Sequence, residues 1–251
     1  VPNTFEAAVV INTDLPDTTL VGAFVGQHNS AAALGGGFDD FTTSSFKSFY
    51  NGAYAIGAIN NSYKPLTAQA WYFDAPQAVQ AFWLQADLDA ADLGVKGLTA
   101  GAQYTQSDWY ASDTTGKAGA VKLGYEVESA FAASVAYSKV GEAAGAGANL
   151  AGSQSKLYTE AWWYYGVISQ ASTEAYNVTV TAPVADLFDA GVYFTKATVG
   201  TADADFTEAT FEAAKSFGPL DAGLYYIFTD SDMDNGGDAY NTLQVYLTYN
   251  F

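Results

Sequence analysis

Toward its carboxyl end the chain alternates strictly. Leu243, Val245, Leu247, Tyr249 and Phe251 are separated by Gln244, Tyr246, Thr248 and Asn250, after a polar Thr242. A period of two sorts these residues onto opposite faces of a β-strand, one apolar and one polar. An aromatic ends the strand, as in outer-membrane barrels, and a single such strand would also fit a soluble sandwich. Repetition decides between them.

The same pattern recurs upstream. It is clear where Phe82, Leu84, Ala86 and Leu88 oppose Trp83, Gln85 and Asp87, and where Val121, Leu123, Tyr125 and Val127 oppose Lys122, Gly124, Glu126 and Glu128. It returns where Phe188, Ala190, Val192 and Phe194 oppose Asp189, Gly191, Tyr193 and Thr195. Strands are expected near 5–13, 18–28, 52–61, 66–75, 82–88, 98–105, 121–128, 131–137, 177–182, 188–195, 207–213, 220–229 and 239–251. Both sides of the second to fourth are apolar, so their faces stay open. About thirteen strands of roughly 9–12 residues each match a tilted strand crossing a bilayer. The fold class expected is all-β, a transmembrane antiparallel β-barrel forming one domain over residues 1–251.

Connections alternate in length as well. Short turns are expected at 14–17, 63–65, 90–96, 129, 183–187 and 218–219. Longer ones fall at 29–51, 107–119, 141–173, 200–204 and 230–238, with 75–77 a short exception. Short periplasmic turns and longer outer loops are characteristic of bacterial barrels. On that register the first strand begins outside the cell while Phe251 ends in the periplasm. Single-chain bacterial barrels have an even strand number, so an odd number of upstream strands is expected to be missing. Within the chain only 156–170 leaves room for another pair.

Hydrophobic residues are 49% of the 251, yet no run approaches a membrane helix of about 20 apolar residues. Alternation spreads the apolar content instead. The net charge of −18 repels nucleic acid and attracts cations. One histidine, His28, and no cysteine exclude Ser-His-Asp, multi-His and thiolate sites, which argues against an enzyme.

The phrases at 5–29 (FEAAVVINTDLPDTTLVGAFVGQHN), 155–162 (SKLYTEAW), 189–196 (DAGVYFTK) and 246–251 (YLTYNF) resemble the Campylobacter-type major outer membrane proteins, the Opr-family porins. That resemblance implies a barrel of about eighteen strands, of which this chain would be the carboxyl-terminal portion. It implies a homotrimer in outer-membrane lipid passing small hydrophilic, mainly cationic solutes. It implies no catalytic residues and no cofactor.

On these registers the pore-lining candidates are Glu6, Asp87, Lys122, Glu126, Glu128, Asp189, Glu208, Glu212 and Asp221. Carboxylates along a lumen favour cations. The consecutive aromatics Tyr158, Trp162, Trp163, Tyr164 and Tyr165 lie in a loop, which favours a constriction or subunit contact over an interfacial girdle. Asp230, Asp232, Asp234 and Asp238 alternate like Ca²⁺ ligands, but the glycine falls one place late for an EF-hand; the competing reading is a solvated acidic outer loop. The functional rival to a conducting porin is a structural or adhesive surface barrel with a plugged lumen.

Overall fold

A computed structural model describes residues 4–29, 46–149 and 154–251. Among these residues thirteen strands form one sheet in sequence order, each antiparallel to the next. They are β1 (Phe5–Asn12), β2 (Thr18–His28), β3 (Lys47–Asn60), β4 (Leu66–Ala75), β5 (Val79–Asp89), β6 (Leu98–Trp109) and β7 (Thr114–Val127). Then follow β8 (Phe131–Val140), β9 (Glu174–Val184), β10 (Phe188–Val199), β11 (Ala204–Phe217), β12 (Leu220–Ser231) and β13 (Tyr240–Tyr249). The helical pieces among the described residues are three 3₁₀ segments, Ala90–Leu93, Val167–Ser169 and Asn235–Gly237. Among the described residues no helix is long and apolar enough to cross a membrane.

Cross-strand register carries each strand's parity around the sheet. One rung joins Leu123, Val135, Val178 and Phe194; the next joins Val180, Val192, Phe211, Tyr226 and Leu243. Every side chain in both rungs is exposed. A sheet face of exposed Val, Leu, Phe and Tyr is stable against lipid, not water. The opposite parity carries Thr, Ser, Gln, Gly, Ala and most of the charged candidates. This is the inverse of a water-soluble protein, and it makes the sheet the wall of a transmembrane barrel. Among the described residues β1 and β13 do not pair, so the wall as described is open between them.

Several expectations are corrected. The segment 107–119 is not a long loop: β6 runs to Trp109, β7 starts at Thr114, and only 110–113 connect them. Polar residues on both faces near the rim hid the strand ends, since Gln106 and Asp108 face outward beside Ser107 and Thr105 facing inward. β3 begins at Lys47, which shortens the loop expected at 29–51; the Gly35–Gly37 and Asp39–Asp40 stretch lies outside the described residues. The segment 156–170 holds no strand pair.

Candidate functional site: a loop moored across the inner face

The 141–173 connection is the largest departure from the sheet. Its apolar residues Leu157, Ala161, Val167 and Ile168 are buried against Val140, Ala175, Ala197, Val199 and Phe206. Those wall residues belong to the inner parity, so the loop lies inside. Burying them removes an apolar surface that water would otherwise meet, at about 25 cal/mol per Å². The sequence signal was present: a loop this apolar without strand or helix periodicity must bury itself somewhere.

Polar anchors fix its course. One inner rung runs Thr67, Asp87, Gly101, Lys122, Ala136, Asn177, Thr195, Glu208 and Thr229. At one end the Tyr158 hydroxyl donates to Asp87 at 2.5 Å, and Lys122 Nζ sits 4.6 Å from the Tyr158 ring centroid. The Tyr158 backbone N–H donates to Gln103 Oε1 at 3.0 Å. Gly101 makes this approach possible, because a Cβ there would lie 2.4 Å from the Tyr158 hydroxyl. Burial, reinforced by the Asp87 carboxylate, pushes the Tyr158 pKa up and keeps it a donor.

At the other end Glu208, 1% exposed, takes two backbone N–H groups: Trp163 at 2.8 Å on Oε1 and Tyr164 at 2.7 Å on Oε2. Between the ends Thr159 hydrogen-bonds Ser138. Six strand spacings separate Asp87 from Glu208 along the wall, roughly 29 Å. Their loop partners Tyr158 and Trp163 are five residues apart, about 17 Å of fully extended backbone. The loop therefore spans the inner face as a chord of a curved wall.

The aromatics divide by task. Trp162 stacks on Tyr225 of β12 (centroids 4.5 Å, 25°), and Tyr164 packs on Phe206 of β11 at 5.6 Å. Trp163 lies 6.3 Å from Tyr165 within the loop. Glu160, which the sequence did not single out, accepts from the Gly166 N–H at 2.7 Å while its Oε2 is buried without a partner. Burial holds its pKa above the ordinary carboxylate value.

The remaining candidates fall at various heights. Glu212 faces inward and accepts from Tyr193 at 2.5 Å and Tyr225 at 2.9 Å. Glu126, Asp189 and Asp221 share the inner parity near the short-turn end, Asp221 accepting from Ser216 and Asn250. Glu128 lies beyond the end of β7, in the turn before β8, and is not wall. Glu6 is also corrected: β1 pairs Val10 with Gly22, and the even parity of β1 is the lipid-facing one, with Glu6 one residue past a register shift.

Asp230, Asp232, Asp234 and Asp238 do not converge. Asp230 is a strand residue of β12, Asp232 accepts from the Asp205 N–H, and Asp234 is taken by Asn235 N–H and the Tyr240 hydroxyl. Among the described residues no cluster of three or more His, Asp or Glu has metal-binding geometry. His28 meets the Phe49 ring edge-on at 4.9 Å.

No protein-family model matches the chain, and no curated protein matches it in sequence. Solved structures do share its fold. Pseudomonas aeruginosa OccK3 (OpdO) superposes with a TM-score of 0.77 at 13% identity, covering 99% of this chain and 70% of its own. Pseudomonas aeruginosa OccK7 (OpdD) gives 0.79 at 12%, covering 99% and 68%. Acinetobacter baumannii OccAB1 gives 0.75 at 15%, covering 99% and 68%. The chain thus shares the antiparallel β-barrel fold of these structures. The likeness falls on Pseudomonas and Acinetobacter barrels and does not support the Campylobacter-type kinship suggested by the sequence phrases.

Proposed function

We propose that this chain is the wall of a bacterial outer-membrane porin, a non-enzymatic, water-filled channel for passive diffusion of small hydrophilic solutes, with a preference for cations. The carrying observation is the 141–173 loop, moored on Asp87 and Glu208 across the inner face of a wall whose outer face is apolar. Such a loop narrows a lumen and puts named side chains beside whatever passes. Cation preference is supported by the inner carboxylates Asp87, Glu126, Asp189, Glu212 and Asp221, set against Lys122 on the same face. In a narrow lumen with low-dielectric walls their field is screened less than at an open surface.

Two further elements belong to this reading. Unpaired strand edges are not tolerated in hydrocarbon, so β1 and β13 need partners, from residues outside this sequence or from a second copy. The homotrimer rests on the sequence resemblance alone. Reversal potential across a KCl gradient tests the proposal: wild type should favour K⁺, and Glu212→Gln with Asp221→Asn should shift the potential toward non-selectivity. Anion preference in the wild type would refute the electrostatic reading, and absence of conductance would favour the plugged, structural barrel.

A further inference from the structure

We propose that an aromatic slot on the inner wall of β3 to β6 is a subsite for neutral pyranose sugars; this deepens the channel reading and rests on it. The slot is a cavity of about 510 Å³ between these strands and Gly147, Ala148, Asn149 and Lys156 of the loop. Its floor is flat. Trp71 and Trp83 pair directly across β4 and β5, and Phe73 lies nearly parallel to Trp71 (6.2 Å, 11°). Gly57, opposite Trp71 on β3, lets the indole lie against the wall: a Cβ there would be 2.2 Å from its six-membered ring. Trp71 thereby lies close against the wall at Gly57 and stays half-buried.

The indole N–H groups are not offered to a ligand. Trp71 donates to Gln69 Oε1 at 2.9 Å and Trp83 to Gln85 Oε1 at 3.1 Å, so each ring is locked in plane by its own strand. Gln85 is held in turn by Gln103 at 3.1 Å and donates to Asp87 at 2.7 Å. The result is a rigid apolar platform edged by amides. The charged residues lining the slot are Lys156 and Asp74, and Asp74 shares the outward parity of Asp108 through Gln80, so no inward carboxylate lines it. A cation gains little there over its neighbours. A pyranose ring fits the chemistry on both sides. Its C–H face, slightly positive, rests on the negative face of an indole, and its hydroxyls reach amide edges. The volume lies within the roughly 300–1,000 Å³ of small-ligand pockets.

The test is current block in planar bilayers carrying the full-length protein, with maltotriose as ring probe, sorbitol as open-chain control and tetramethylammonium as the cation that aromatic faces would also attract. Maltotriose should block K⁺ current saturably and sorbitol should not. Trp71→Ala or Trp83→Ala should raise the half-blocking concentration roughly threefold to tenfold, and Trp71→Phe by less, since a ring face remains. Normal K⁺ conductance without saturable maltotriose block would overturn the subsite while leaving the channel standing. So would block indifferent to both tryptophans, or block by tetramethylammonium in place of sugar. If no K⁺ current flows, the channel reading fails separately. Tryptophan-fluorescence titration of the detergent-solubilised protein with maltotriose then decides the subsite, saturable quenching supporting it and none refuting it.

Discussion

Replacing Glu208 by glutamine isolates what the loop mooring is worth. The carboxylate offers one oxygen to each of two successive backbone N–H groups, Trp163 at 2.8 Å and Tyr164 at 2.7 Å, in a site 1% exposed. An amide of the same shape keeps one acceptor and turns a donor toward the other N–H. One charge-assisted bond is lost and one buried N–H is left unpaired, together about 2–4 kcal/mol. That raises the ratio of released to moored loop by roughly 30- to 1,000-fold. Glu208→Ala loses both acceptors and should release the loop further. The wall does not depend on this contact, because β11 keeps its full registers with β10 and β12. Single-channel recording should therefore show a larger or flickering conductance, and limited proteolysis should cut within 141–173, while heat-modifiable gel migration reports an intact barrel. A folded Glu208→Gln protein with wild-type conductance noise and wild-type protease resistance would refute the mooring.

Two other predictions test the faces and the buried acid. Val178→Arg, on the exposed rung of a central strand, should cost about 2–4 kcal/mol and lower folding yield into lipid, whereas Thr179→Arg on the inner parity should fold and change the current instead; equal folding yields would undo the face assignment. Glu160 has its pKa raised by burial, so the packed loop holds that proton more tightly than the released loop does. Its stabilisation is complete below the ordinary carboxylate pKa and is lost as pH rises through the raised value. Current flicker should then increase with pH, and Glu160→Gln should flatten the dependence; a wild-type trend in the opposite direction would contradict this.

What could be read from the sequence is what strands settle locally. Alternation in β5, β10 and β13 is complete within each segment, so Asp87, Asp189 and the outward Leu243 and Val245 follow from parity alone. β1 failed because Val9, Val10 and Ile11 are apolar on both faces, and only pairing with β2 sets which parity meets lipid. The β6–β7 rim failed because polar residues occupy both faces, and Glu128 because a strand end is set by its turn. The mooring was out of reach for a different reason. Asp87, Lys122 and Glu208 share one rung only after seven strands, from β5 to β11, have fixed their registers in succession, and the partners Tyr158, Trp163 and Tyr164 come from a segment with no periodicity. An inward acid looks alike in sequence whether it tunes passing ions or fixes a loop. Glu212, accepting from two tyrosine hydroxyls on neighbouring strands, lies on the inner face clear of the loop's backbone. Glu208, capped by two backbone N–H groups and sealed from water, has its charge committed to the loop, and substitutions there should move the constriction before they move selectivity.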